Sequence, residues 1–135
     1  MLIDEKTNEV TISEFQKPYL GMIHPVTYVN KLVLYSGQQL TLVNAISNKI
    51  LYEYPKLIQY MKVNELTIAT VESTPLVDIV AIGFLGGIIS FLNLKKDEIV
   101  FSLKQKNTPT VIGFSTHQSL MASGDHEGNV ILWDL

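Results

Sequence analysis

The sequence predicts an all-β fold built from a repeated antiparallel unit, and three observations support this class. Short apolar, β-prone runs alternate with turns rich in Gly, Asn and Asp, as antiparallel hairpins require. The stretch with helical spacing, residues 56–65, is short and has no cap, so it is predicted to be a loop with one turn of helix. Three positions also recur at one constant interval: Gly83, Gly87 and Asn93 correspond to Gly124, Gly128 and Asp134.

The last copy of this unit, Ile112–Leu135, is the best defined. Its apolar runs flank a tight polar turn, and small, turn and aromatic residues follow in a fixed order: Ser123-Gly124, Glu127-Gly128-Asn129 and Trp133-Asp134. This order resembles the inner half of one WD40 blade, a four-stranded unit of ~40 to 45 residues. A fainter copy, Lys31–Asn44, lies upstream. The resemblance implies WD40 β-propeller blades, about three of them, in an incomplete propeller.

The units divide the chain into five segments. Residues 1–17 hold one alternating run, Val10–Ser13, and are interpreted as an outer strand of a preceding blade or a frayed terminus. Blade 1 is expected at residues 18–55, an inter-blade loop at 56–65, blade 2 at 66–107 and blade 3 at 108–135.

Individual strands follow from the apolar runs. Gly21–Asn30 is interpreted as the innermost strand of blade 1, where Pro25 restricts it to an edge or a bulge. Further strands are expected near Lys31–Tyr35, Leu40–Ala45, Ile50–Tyr54, Leu66–Val71, Val77–Phe84, Ile88–Leu94 and Ile99–Leu103. Blade 3 begins near Thr110 and is expected to lack its outer strand. The isolated chain would then expose the edge of Val130–Leu135 and would not be self-sufficient.

Composition narrows the functional classes. With 135 residues, 47% hydrophobic residues and a mean hydropathy of +0.22, the chain is expected to form one soluble, intracellular domain with a real core. No apolar run approaches the ~20 residues that cross a bilayer. Cysteine is absent, which excludes thiolate chemistry and disulfides. All ten basic residues are Lys and the net charge is −3, so little or no direct nucleic-acid binding is expected.

No cluster of side chains predicts catalysis, a cofactor or a metal site. Asp125-His126-Glu127 offers two carboxylates and an imidazole, but adjacent residues in a turn point apart, whereas metal ligands converge from separate segments. His24 and His117 have no partner at the spacing of a catalytic triad.

The glycines of blade 2 do not form a phosphate-binding loop, because no Lys-Ser/Thr follows them. Gly83, Gly86 and Gly87 are instead interpreted as hairpin glycines with positive φ.

Several residues are assigned blade-structural roles. Ser123 and Trp133 are expected to hydrogen-bond across neighbouring strands, and Glu127 stands where such blades often carry Asp. The His that usually completes this tetrad is replaced by Lys104-Gln105, so the tetrad is expected to be incomplete. The full set is Ser123, Gly124, Glu127, Gly128, Trp133, Asp134, Gly83, Gly87 and Asn93.

Two longer strings are more specific than the Trp-Asp pair. IHPVTYVNK at Ile23–Lys31 and PLVDIVAIG at Pro75–Gly83 resemble the first propeller of the tandem-propeller WD-repeat subunit of the U3 small nucleolar ribonucleoprotein, a part of the small-subunit processome. That resemblance implies a nucleolar scaffold, with other protein subunits as partners, in the assembly that processes pre-rRNA to 18S rRNA. The family carries about two whole propellers and a C-terminal domain, whereas this chain holds about three blades.

Three functional readings follow. The favoured one is a non-catalytic protein-interaction module with no membrane or small-molecule partner. A WD40 adaptor of another complex, such as a vesicle coat or a ubiquitin ligase, is an alternative in the same class. A propeller-type hydrolase would need four side chains to converge: Asp78, Asp125, His126 and Glu127.

Tyr60 and Met61 are the candidate interaction residues. They lie in the insert between blades, where loops carry function without disturbing strand pairing. Replacing both with Ala is expected to leave folding nearly intact.

Overall fold

The computed structural model describes residues 2–4, 9–11, 19–25, 27–116 and 119–135. Near the start, β1 (Leu2–Asp4) and β2 (Glu9–Thr11) pair as an antiparallel two-stranded sheet. Only β2 overlaps the run that the sequence marked as an outer strand. Its pairing is with β1, and its place relative to another blade stays a prediction.

Three larger antiparallel sheets follow in chain order. Sheet 1 contains β3 (Gly21–Ile23), β4 (Lys31–Tyr35), β5 (Leu40–Asn44) and β6 (Ile50–Tyr52). Sheet 2 contains β7 (Ile68–Ser73), β8 (Ile79–Phe84), β9 (Ile88–Asn93) and β10 (Glu98–Lys104). Sheet 3 contains β11 (Val111–Phe114), β12 (Leu120–Gly124) and β13 (Val130–Asp134). Each strand pairs with its neighbour in sequence, which is the up-and-down order of a blade.

The sheets are arranged around their first strands. β7 contacts both β3 and β11, so the first strands of sheets 1, 2 and 3 lie side by side. Sheet 2 is therefore covered on both faces, and this explains the near-continuous burial of β8 and β9. The all-β prediction is confirmed, with one short helix added.

Two apolar cores fill the spaces between the sheets. Between sheets 1 and 2, large buried side chains include Val33, Leu57, Ile82 and Phe84. Between sheets 2 and 3, the core is smaller and is built on Ala81, Ile89, Phe91, Ile112 and Met121. Stacking therefore supplies the burial that no single sheet provides alone.

The innermost strand of sheet 1 is shorter than predicted. β3 ends at Ile23, and the Tyr28 amide donates to the Pro25 carbonyl across a turn. Thr27 and Asn30 have positive φ, which extended strands do not tolerate. The predicted strand Gly21–Asn30 is therefore wrong after Ile23, because Pro25 ends the pairing and the following residues turn back.

The insert between sheets 1 and 2 is a helix, α1 (Pro55–Val63), and not the predicted loop. The side chain of the N-cap residue, Tyr54, makes no capping hydrogen bond to the helix. Instead the Asp97 carboxylate, in the turn between β9 and β10, accepts hydrogen bonds from the amides of Lys56 (2.8 Å) and Leu57 (3.1 Å). Leu57 and Met61 share one face and are buried, which fits their spacing of one helical turn. Sheet 2 thus supplies both the cap and the apolar support of the helix.

Candidate interaction surface

A chain of hydrogen bonds joins sheet 3 to the segment before it. Trp133 Nε1 donates to Ser123 Oγ at 2.8 Å, and Ser123 Oγ donates to Gln105 Oε1 at 2.6 Å. Gln105 Nε2 donates in turn to the Asn107 carbonyl. Ser123 and Gln105 are both buried. Gln105 therefore accepts the hydrogen bond from Ser123 at the place where a WD40 blade usually carries His.

The polar turn of sheet 3 is built around Asp125. Its Oδ1 accepts from the amides of Glu127 (2.9 Å) and Asn129 (3.1 Å). Asn107 Nδ2 donates both to Asp125 Oδ2 (3.1 Å) and to Glu127 Oε2 (3.0 Å). Desolvation would raise the pKa of Asp125, but the hydrogen bonds from Asn107, Asn129 and Glu127 outweigh it and lower that pKa to about 2. The carboxylate holds the turn together.

The structure does not bring the four residues of the hydrolase alternative together. Asp78 accepts a hydrogen bond from Tyr28, whereas Asp125 and Glu127 share Asn107. His126 is exposed. Within residues 19–25, 27–116 and 119–135, no three acidic, His or Cys side chains are grouped so as to hold a metal ion.

The glycines serve two different needs. Gly86, Gly87 and Gly128 have positive φ, as hairpin turns require. Gly83 does not have a positive φ, so the prediction that it is a hairpin glycine of this kind is wrong. It lies inside β8, where an added Cβ would stand 2.6 Å from Cγ of Pro109 and 2.9 Å from Cγ2 of Thr70. Close approach of the segment before sheet 3, and not backbone conformation, excludes a side chain at Gly83.

Tyr60 and Met61 are not the exposed anchors that the sequence suggested. Met61 is 4% exposed and belongs to the core between sheets 1 and 2. Tyr60 is half-buried, and its hydroxyl lies 3.2 Å from Ser90 Oγ. Removing Met61 would cost ~2 to 5 kcal/mol as a buried large-to-small change. We therefore expect the double alanine variant to lose stability, because the helix buries Met61 and half-buries Tyr60.

A groove of about 580 Å³ runs between sheets 1 and 2. We call it the tyrosine groove, because Tyr28, Tyr52 and Tyr54 line it together with Asp78. The Tyr28 hydroxyl donates to Asp78 Oδ1 at 2.6 Å, and the rings of Tyr52 and Tyr54 meet edge to face at 4.8 Å. Lys31 and Lys95 stand at its exposed rim.

A second groove, of about 590 Å³, runs between sheets 2 and 3. Phe91, Phe101 and Phe114 line this phenylalanine groove, with Leu76 and Leu120 beside them. The Phe91 and Phe101 rings stack at 4.2 Å, and Phe114 meets Phe91 edge-on. Both grooves are therefore lined by aromatic rings. The rings of the tyrosine groove carry hydroxyls and lie beside the Asp78 carboxylate, whereas the rings of the phenylalanine groove are apolar.

No helix in the described part of the chain could span a membrane, since α1 has nine residues and a spanning helix needs ~20.

Stacked antiparallel sheets of four, four and three sequentially paired strands, with their first strands side by side, define blades of a β-propeller. The comparison with known families agrees and is more specific. Residues 2–135 match the family model described as the WDR36/Utp21 first beta-propeller, and the chain belongs to this family. The predicted WD40 propeller class and the predicted family resemblance are confirmed.

Three curated relatives are similar to the chain. It is 33% identical over 135 residues to WD repeat-containing protein 36 of Homo sapiens, which covers 98% of this chain and 14% of that protein. It is 28% identical over 117 residues to the U3 small nucleolar RNA-associated protein 21 homolog of Schizosaccharomyces pombe, covering 85% and 12%. It is 26% identical over 133 residues to U3 small nucleolar RNA-associated protein 21 of Saccharomyces cerevisiae, covering 94% and 13%. The chain thus spans about a seventh or less of the length of these relatives.

Proposed function

We propose that this chain is a non-catalytic WD40 scaffold that holds protein subunits together in the U3 small nucleolar ribonucleoprotein and acts in the nucleolus. The observation that carries the proposal is the match of residues 2–135 to a propeller family whose relatives are named as U3 small nucleolar RNA-associated. The role in processing pre-rRNA to 18S rRNA follows from that association.

The side chains of the described residues support a scaffold over an enzyme. Ser123, Gln105 and Asp125 form hydrogen bonds with neighbouring side chains of the same blade and with backbone amides and carbonyls. A catalytic group needs a free acceptor or donor that faces a substrate. These networks instead fix the geometry of the blade, and this is what a rigid interaction platform requires.

Charge supports protein partners over RNA. The ten cations are all Lys, and the net charge is −3. Lysine contacts to phosphate act as point charges and weaken steeply with salt, whereas Arg would add bidentate geometry. We therefore infer that contacts to protein subunits, and not to RNA, retain this chain in the assembly.

Affinity purification of the full protein from its own cells tests the assignment. U3 small nucleolar RNA is expected to co-purify, with a spliceosomal RNA as the control, and depletion of the protein is expected to lower mature 18S rRNA relative to the large-subunit rRNA. Co-purification with a stable protein complex that lacks U3 RNA would favour the adaptor alternative and refute the ribosomal assignment.

Salt dependence tests the protein-first inference separately. The purified protein is expected to bind U3 RNA weakly, and the binding is expected to disappear as salt rises. Micromolar or tighter binding that persists at high salt would overturn it.

A further inference from the structure

We propose that the tyrosine groove is a binding site for the cationic head of a lysine or arginine side chain presented by a protein partner. The site is formed by Tyr28, Tyr52 and Tyr54 around the carboxylate of Asp78. It goes beyond the proposed function and does not depend on it, since a peptide can be offered to the groove outside any assembly.

The groove wall contains a buried hydroxyl, that of Tyr54, without a hydrogen-bond partner within the described residue ranges. Tyr54 is fully buried, and its OH has no hydrogen-bond partner among the described residues. A desolvated hydroxyl left unpaired is costly, so native structures rarely keep one without a reason. Tyr54 lines the groove, so this oxygen lies in the groove wall, enclosed by other side chains. In the proposal, the donor of the ligand reaches it by displacing those side chains.

The groove also contains a carboxylate, that of Asp78, without an ion-pair partner among the described residues. Asp78 is half-buried, and its Oδ1 accepts a bond from the neutral Tyr28 hydroxyl. Lys31 and Lys95 line the same groove, yet neither forms an ion pair with Asp78 in the described part of the chain. Charges removed from water are normally paired. The missing partner of a half-buried carboxylate is a cation.

The aromatic rings favour the same ligand. The Tyr52 ring is 42% exposed in the groove and packs at a right angle to the buried Tyr54 ring, and the faces of aromatic rings attract cations. Lys31 Nζ already lies 6.0 Å from the centre of the Tyr28 ring, which shows that a cation can approach this ring from the rim.

The carboxylates near the Tyr54 hydroxyl also disfavour an anionic ligand. Burial raises the pKa of Tyr54, and the charges of nearby groups, including Asp97 and Asp78, raise it further. The part of this shift that comes from the two carboxylates disfavours an anionic ligand, such as a phosphate or a carboxylate, at this oxygen. Together with the Asp78 carboxylate in the groove wall, it favours a ligand that donates hydrogen bonds over one that accepts them.

Backbone conformation holds these groups in place. Thr27, Tyr54 and Asp78 all line the groove, and all have positive φ, at 69°, 57° and 66°. Such values are unfavourable for branched or bulky residues and persist only where the surroundings enforce them. The groove is therefore built around these three positions and is not a loose gap between sheets.

Binding of capped pentapeptides to the immobilised full-length protein tests the proposal. The peptides have two glycines on each side of Arg, Lys, Glu or Leu, and surface plasmon resonance measures their affinity. The Arg and Lys peptides are expected to bind about tenfold or more tightly than the Glu and Leu peptides. Asp78→Asn is expected to weaken the cationic peptides by about tenfold to hundredfold, because a hydrogen bond to a charged group is lost.

Two further variants complete the test. Tyr54→Phe removes the hydroxyl and keeps the ring, so it is expected to weaken the Arg and Lys peptides while raising thermal stability. Glu98→Gln is the matched control, because it removes one exposed carboxylate outside the groove and is expected to leave binding unchanged. Equal binding of all four peptides, a preference for the Glu peptide, competition by inorganic phosphate, or equal loss in Asp78→Asn and Glu98→Gln would each overturn the proposal.

Discussion

The tyrosine groove and the phenylalanine groove occupy corresponding positions between successive sheets. Leu42 pairs with Tyr52 in sheet 1, as Phe91 pairs with Phe101 in sheet 2. The two grooves have nearly the same volume. The Tyr52 hydroxyl donates to Asp97 of the neighbouring sheet, whereas Phe91 and Phe101 stack on each other within sheet 2 and line their groove with apolar rings. A repeated scaffold can therefore use one position either to hold its blades together or to select a ligand.

The largest expected effect is the loss of Phe91 from the phenylalanine groove. Phe91 is 1% exposed and contacts the rings of Phe101 and Phe114. Phe91→Ala is expected to lower the free energy of unfolding of sheet 2 by ~3 to 5 kcal/mol. Hydrogen exchange at the β9 amides of the full protein measures this local loss. Phe101→Ala, at a position that is 39% exposed, is the control, and an equal loss there would show that the burial of Phe91 does not set the size of the effect.

A smaller loss is expected when the helix beside the tyrosine groove loses its cap. Asp97→Ala leaves the amides of Lys56 and Leu57 without their acceptor, which is expected to cost ~1.5 to 3 kcal/mol. Faster exchange at the α1 amides measures it. Glu98→Ala breaks only an exposed ion pair at 3.7 Å and is expected to change little. Unchanged exchange in the Asp97 variant would show that packing alone holds α1.

The stability that the two grooves contribute is expected to respond differently to alkaline pH. Burial and the neighbouring Tyr28 and Asp97 raise the pKa of Tyr54 above its usual 10, so the unfolded chain loses this proton first. The stability that this difference contributes is present below pH 10 and is lost above it. Tyr54→Phe is expected to gain about 1 kcal/mol at neutral pH and to flatten the alkaline loss. Thermal unfolding between pH 8 and 11 tests this, with Phe101→Tyr as the control, since that new hydroxyl would be exposed and should titrate normally.

The smallest expected effect is a loss of stability of sheet 3 at acid pH. The pKa of Asp125 is lowered to about 2 in the folded protein, from a value near 4 in the unfolded chain. The stability that its carboxylate contributes is therefore present above pH 4 and is lost as the pH falls from about 4 to 2. Asn107→Ala removes one donor to this carboxylate and is expected to narrow the pH range of the loss. Hydrogen exchange of the β12 and β13 amides between pH 2 and 5 would detect it. An unchanged acid profile in Asn107→Ala would show that the turn amides alone set this pKa.

The sequence predicted what depends on near neighbours. Strands and turns were predictable because alternation and glycines act within a few residues. The α1 helix was not, because its cap is Asp97, which lies 41 positions beyond Lys56. Met61 was misassigned for the same reason, since its burial depends on where sheet 2 places the helix.

The candidate site was harder to predict than the fold. The Tyr28–Asp78 bond joins residues 50 positions apart, and no local pattern indicates it. Gly83 was recognised as important, but the reason lies with Pro109 on another segment. Gln105 stands where a WD40 blade usually carries His, and its bond to Ser123 was not predictable because it joins side chains 18 positions apart.

The distant cap on α1 also sets an order of events during synthesis. A helix of nine residues is unstable alone, so α1 must wait for its support. At ~5 to 20 residues per second, translation from Lys56 to Asp97 takes roughly 2 to 8 s. During that interval α1 lacks its cap, and Leu57 and Met61 lack the side chains of sheet 2 with which they form a core. We expect these two apolar side chains to stay exposed until sheet 2 has been synthesised.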